Sequence, residues 1–162
     1  HDMILDNTEL SHITAGSLVV GNGSTGSVFV KGVTGIASGN ITSVTLNSTG
    51  AAKATTFETT ASTFNALTNN SATSITVSVA VTTAVGSLSL LANDGLTINA
   101  NLSSASNMTL NGDANNAANT SDALSFAAGR TMTATGNMTL SADEHTGALT
   151  LVLETKIISS TL

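Results

Sequence analysis

The chain has 162 residues, enough for one domain with a sizeable core. Apolar residues make up 41 % and charged residues 9 %, with net charge −6 and a pI near 4.6, so the composition is neither disordered nor nucleic-acid binding. Lys31, Lys53, Arg130 and Lys156 are scattered, which leaves no basic footprint for nucleic acid and no polybasic membrane anchor.

Polarity comes instead from Ser, Thr, Asn and Gly. Thr suits exposed strand positions, and Ser, Asn and Gly suit tight turns. All four are weak helix formers in helix interiors. There is no Pro, Cys, Trp or Tyr. Corners are therefore expected from Gly and Asn in left-handed conformation, without disulfide staples. No apolar run is long enough to span a bilayer as a helix.

In chain order, residues 3–6 read as a first short strand. Leu18-Val19-Val20 followed by Gly21-Asn22-Gly23 is strand then turn, and Ser27-Val28-Phe29-Val30 is a further strand. The interval between them fits a hairpin or a corner of a coil. Val44-Thr45-Leu46 ends at another turn, 47–50. Between Ala51 and Asn70, Phe57, Ala61 and Phe64 fall at helical spacing. Thr55, Thr56, Thr59, Thr60 and Thr63 are β-branched and stiff, so strands are expected there, with a short helix as the alternative. Both Phe are read as core. Ile75 to Val81 alternates cleanly, with Ile75, Val77, Val79 and Val81 expected on one side.

From Val85 onward, apolar-polar-apolar triplets recur: Leu88-Ser89-Leu90, Leu96-Thr97-Ile98, Met108-Thr109-Leu110 and Met138-Thr139-Leu140. Alternate side chains of a strand point to opposite faces, so each triplet buries two residues and exposes one. So short a strand is stable only when stacked on others. Leu88 and Met108 lie 20 residues apart, and the two Asn-Met-Thr-Leu copies, at Asn107 and Asn137, lie 30 apart. Periods of this size mark solenoids, with equivalent strands about 4.8 Å apart. Residues 113–122 form a polar interruption, expected to protrude as a loop. Leu124-Ser125-Phe126 resumes the pattern, and 149–153 and 156–158 close it.

The fold expected is thus all-β, a right-handed parallel β-helix of about six or seven coils. An antiparallel β-sandwich is the alternative, suggested by the possible hairpin from Leu18 to Val30 and by the alternation at 75–81. Strand-like sequence near both ends predicts a single solenoid segment, 1–162, excised from a longer repetitive protein.

The stretches Gly-Ser-Leu-Ser-Leu-Leu-Ala-Asn-Asp-Gly-Leu-Thr-Ile-Asn-Ala from Gly86 and Gly-Asn-Met-Thr-Leu-Ser-Ala from Gly136 resemble repeats of filamentous-haemagglutinin-like exoproteins. These are adhesins secreted by two-partner systems of Gram-negative bacteria; the stretches are also similar to repeats of autotransporter passengers. The resemblance covers about 85–153, extends less closely to 12–50 and departs at 51–75. It implies a right-handed parallel β-helix at the cell surface or secreted. The function expected is a structural and adhesive rod contacting cells, matrix or glycans. Its partners would be neighbouring segments of the same protein, with end-to-end self-association of the excised piece.

No catalytic, cofactor or metal site is expected. His12 and His145 share no motif, and a zinc site needs several ligands at set spacing. Asp143-Glu144-His145 is the densest polar cluster and reads as a solvated turn. Asp94-Gly95 and Asn111-Gly112-Asp113 could offer oxygens to calcium, but match no calcium-loop pattern and read as turns. A polysaccharide-active β-helix enzyme would need carboxylates near a basic residue; Arg130 has none beside it in sequence. Thr131 to Thr135 and the Thr-rich 55–63 suggest an ice-binding solenoid as an alternative function. Such a face needs Thr in step on every coil, and their spacing in the sequence is irregular. Sequons at Asn22, Asn40, Asn47, Asn69, Asn101, Asn107, Asn119 and Asn137 follow from the abundance of Asn, Ser and Thr.

Overall fold

The computed structural model describes residues 1–117 and 121–142. It is a parallel β-solenoid whose windings each have three faces. The first winding runs β1 (Met3–Leu5), α1 (Asn7–Leu10) and β2 (Ala15–Asn22). The second runs β3 (Val28–Val30), α2 (Gly35–Ser38) and β4 (Ile41–Ser48). From there every face is a strand: β5 (Thr55–Phe57), β6 (Ser62–Phe64) and β7 (Leu67–Ser71), then β8 (Ile75–Val77), β9 (Val81–Thr83) and β10 (Leu88–Ala92). The fifth winding is β11 (Leu96–Ile98), β12 (Leu102–Ser104) and β13 (Met108–Asn111). The sixth is β14 (Leu124–Phe126), β15 (Met132–Ala134) and β16 (Met138–Ser141). Five full turns separate β1 from β14.

Face one is the sheet β1-β3-β5-β8-β11-β14. Face two is the sheet β6-β9-β12-β15, preceded by the two helices. Face three is the sheet β2-β4-β7-β10-β13-β16. Every pairing in them is parallel. The triplets stack as their alternation requires: Leu88 lies over Met108, and Met108 over Met138; Leu90, Leu110 and Leu140 follow in step. The two Asn-Met-Thr-Leu copies sit one winding apart, and the backbone N–H of Asn137 donates to Asn107 Oδ1 at 2.9 Å.

The core is one apolar column. Phe57, Phe64, Leu67, Ile75, Leu88, Leu90, Leu96, Ile98 and Leu110 are all buried within it. Polar groups interrupt it at two places: on face two Thr83 Oγ1 donates to Ser104 Oγ at 3.1 Å, and a larger knot gathers around Thr55. Ser48 Oγ lies 2.8 Å from Thr55 Oγ1 and donates to Ser71 Oγ at 3.1 Å, while Thr55 Oγ1 donates to Asn69 Oδ1 at 3.1 Å. Asn69 occupies the inward row between Leu46 and Leu90 and is fully buried. Bonding within the knot offsets part of the desolvation cost of these groups, but Asn69 Nδ2 has no hydrogen-bond partner among the described residues.

The antiparallel alternative does not hold. β2 pairs with β4, and β3 with β1 and β5, so 18–30 is no hairpin. The chain turns at Gly21 (φ +86°), and the Asn22 carbonyl accepts from the Thr25 N–H at 3.0 Å. It then crosses to face one, where Val28 and Val30 reach the core. The alternation at 75–81 is likewise two strands on two faces. A corner at 78–80 separates β8 from β9, and Val79 is only partly buried beside the core. Segment 51–70 is strand throughout its regular parts, and both Phe are core.

The helices lie where no helix was expected. Asp6 caps α1 as a capping box: Thr8 N–H donates to Asp6 Oδ1 at 2.6 Å, and Asp6 N–H donates to Glu9 Oε2 at 3.0 Å. Thr34 Oγ1 accepts from the Ala37 N–H at the start of α2. Each helix turns one buried apolar residue inward, Leu10 and Ala37, and so replaces a strand of face two. Corners use Gly in left-handed conformation at Gly21, Gly32, Gly95 and Gly129, as expected. Asn serves differently. Asn116 alone among the described Asn has positive φ, and Ala52 and Thr59 take the other such positions. Corner Asn side chains instead tie windings together: Asn65 Nδ2 donates to the carbonyls of Gly39 and Ile41, and Asn101 Oδ1 accepts from the Thr131 N–H.

Candidate functional site

Because inward positions are filled by the core, anything the solenoid recognises must lie on outward rows or corners. The three-residue strands of faces one and two present one outward residue each. Face one carries Ile4, Phe29, Thr56, Thr76, Thr97 and Ser125 in step. Face two carries Thr63, Thr82, Ser103 and Thr133.

Face three is wider, because its strands are longer, and it presents two rows. The first is Thr45, Thr68, Ser89, Thr109 and Thr139, continued into the first winding by Val19. The second is Asn47, Asn70, Leu91, Asn111 and Ser141, beside Gly21. Strand neighbours in such a row stand about 4.8 Å apart, and the two rows about 6.6 Å apart along the strand. Among the described residues, none of the five first-row hydroxyls hydrogen-bonds within the protein, so each keeps its donor and acceptors for what lies outside. In the second row, Asn70 Nδ2 donates to Asn47 Oδ1 at 2.9 Å, which holds the two amides in line.

This regularity corrects the reading that the Thr are out of step. The first-row residues lie 23, 21, 20 and 30 positions apart in the chain. Corners of different length absorb the differences: three residues join β7 to β8 and β10 to β11, but twelve join β13 to β14. The Thr-rich runs divide between faces. Thr63 and Thr133 fall in one row of face two, Thr56 on face one and Thr55 in the core.

No described strand contains a charged residue. The described charges sit at corners, in α1 or at the N-terminus, and Lys31 pairs with Glu58 at 3.5 Å between the corners of two windings. His12 lies exposed beside an open groove with Asn7, Thr34 and Ile36; its Nδ1 is 2.8 Å from the Thr8 carbonyl. Asn111-Gly112-Asp113 is a turn, in which Asn111 Oδ1 accepts from the Asp113 N–H at 2.9 Å. The Asp113 carboxylate is buried and lacks a hydrogen-bond partner among the described residues, and Asp122 is buried nearby in sequence at the start of face one. Among the described residues no three His, Cys, Asp or Glu gather as metal ligands. Arg130 is exposed at a corner. Asn69 is removed as a glycosylation acceptor by its burial. Asp143-Glu144-His145, Asn119 and the stretches 149–153 and 156–158, expected as closing strands, lie outside the described residues.

No described helix is long and apolar enough to cross a membrane. Comparison with protein-family models, with curated proteins and with solved structures found no significant match.

Proposed function

We propose that this chain is a structural and adhesive rod segment of a large bacterial exoprotein, secreted or held at the Gram-negative outer surface. The observation that supports this most is the division of labour among residue types. Among the described residues apolar side chains form the column, no strand carries a charge, and the strand faces offer mainly neutral hydroxyl and amide groups. A winding contacts only its neighbours, so such a rod lengthens without redesign. Repeated weak contacts along a flank then sum to adhesion through multivalency. Its partners in this reading are adjoining segments of the same exoprotein, stacked on its terminal windings, and the surface against which the flank lies. The resemblance of the repeats from Gly86 and Gly136 to filamentous-haemagglutinin-like proteins supports the same reading, which gives the chain no catalytic role. Beads coated with the chain should adhere to bacterial or host cells, or to immobilised matrix or glycans, more than beads coated with an inert protein. Equal adhesion of the two across all these surfaces would refute cells, matrix and glycans as what the flank contacts.

A further inference from the structure

Face three differs from the other two in being two rows wide, and this bears on what the rod adheres to. We propose that the two rows on β4, β7, β10, β13 and β16 bind the surface of ice. The inference rests on the adhesive reading and names its target.

Three features of the face carry it. The first is geometry: rows repeat every 4.7–4.9 Å or so along the stack and lie about 6.6 Å apart across it. The spacing along the stack is close to one oxygen–oxygen repeat on the prism planes of ice, and the spacing across it falls about a tenth short of the other. The second is chemistry. Each Thr offers a methyl group, around which water is restrained, beside a hydroxyl that anchors that water by hydrogen bonding. The hydroxyls of Thr45, Thr68, Ser89, Thr109 and Thr139 have no protein partner to give up among the described residues. Water held in this way joins the lattice and bridges the protein to it. The third is neutrality. Ice is an uncharged lattice, and a charged side chain would hold a competing hydration shell; face three has none. Sugars present a different demand, because the apolar side of a pyranose ring stacks on an aromatic platform. Face three carries no aromatic residue, so crystalline polysaccharide fits it less well.

The test is partition of the fluorescently labelled full chain into slowly grown ice. Wild type and Thr76→Tyr, whose bulk is on face one, should be enriched in the ice fraction. Thr68→Tyr and Thr109→Tyr should lose about tenfold or more of that enrichment, with circular dichroism unchanged. If either Tyr variant fails to fold, the double variant Thr68→Ala/Thr109→Ala gives the same comparison without added bulk. Exclusion of wild type to the level of an inert protein would overturn the proposal. So would an equal loss from Thr76→Tyr, or binding to crystalline polysaccharide without enrichment in ice. Exclusion from ice while coated beads still adhere to cells or matrix would overturn the ice assignment alone. Failure of both assays would overturn the adhesive reading as well.

Discussion

Stacking of one winding on the next can be measured as energy. Leu88 is fully buried between Leu67 and Met108. Truncating it to Ala removes three carbons, roughly 2.4 kcal/mol at about 0.8 kcal/mol each. Incomplete closure of the cavity adds about 1 kcal/mol, so Leu88→Ala should cost some 3–4 kcal/mol. Met108→Ala should cost about 3 kcal/mol for the same reasons. The two side chains share one void when both are cut, so the double variant should cost about 1 kcal/mol less than the two singles together. Met138 lies one winding further, roughly 9–10 Å from Leu88. Leu88→Ala with Met138→Ala should therefore be additive to within about 0.5 kcal/mol. Ser89→Ala, beside Leu88 but outward, should change stability by less than about 0.5 kcal/mol. Urea unfolding followed by circular dichroism supplies all these values. Coupling of Leu88 to Met138 as strong as to Met108, or none to Met108, would refute the reasoning.

Other expectations concern the corners and the first winding. Hydrogen bonding to Glu9, and then to the Thr8 N–H, holds the Asp6 carboxyl below its ordinary value. A carboxylate shifted down stabilises the fold above its unfolded-state value, and that contribution is lost as pH falls through the lower folded value. The cap of α1 should thus persist through mild acid and release only in strong acid; an NMR titration of Asp6 at or above the ordinary value would contradict this. Gly95 turns the chain from β10 to β11 at φ +107°, and an added Cβ would lie 2.6 Å from the Ser121 carbonyl oxygen. Gly95→Ala should therefore lower stability by about 1–3 kcal/mol in urea unfolding, and an unchanged midpoint would show that the corner relaxes freely.

Much of this architecture is legible in the triplets. Leu88-Ser89-Leu90, Met108-Thr109-Leu110 and Met138-Thr139-Leu140 are too short to stand alone and too alike to face different partners. Their stacking follows from alternation and period. Phe57 and Phe64 are legible as core from the alternation of the short strands that hold them, whereas Phe29, at the centre of its strand, stands outward. What misleads is connection. Alternation through Ile75, Val77, Val79 and Val81 looks continuous, yet the chain bends at Ser78 and resumes on another face, because period-two patterning does not record a corner. The strands at Leu18 and Val30 invite a hairpin on local spacing, but each pairs instead with strands of adjoining windings, β2 with β4 and β3 with β1 and β5. The helices carry a signal that could have found them: Asp6 and Glu9 stand at capping-box spacing before Leu10. The site is the least legible part. Thr45, Thr68, Ser89, Thr109 and Thr139 are unevenly spaced in the chain, and only corners of unequal length bring them into one row.

The chain has no cysteine among its 162 residues, so introduced pairs report proximity without background. Ser89 and Thr109 are partners on adjacent strands of face three, and the strand spacing lies within the reach of a disulfide. Thr139 stands one winding beyond Thr109. Under mild oxidation, Ser89→Cys with Thr109→Cys should close an intramolecular disulfide in the folded chain, seen as a mass loss of two hydrogens. Ser89→Cys with Thr139→Cys should stay reduced under the same conditions. Closure of the distant pair at a matching rate, or failure of the adjacent pair, would contradict the stacked register on which both the rod and its two-row face depend.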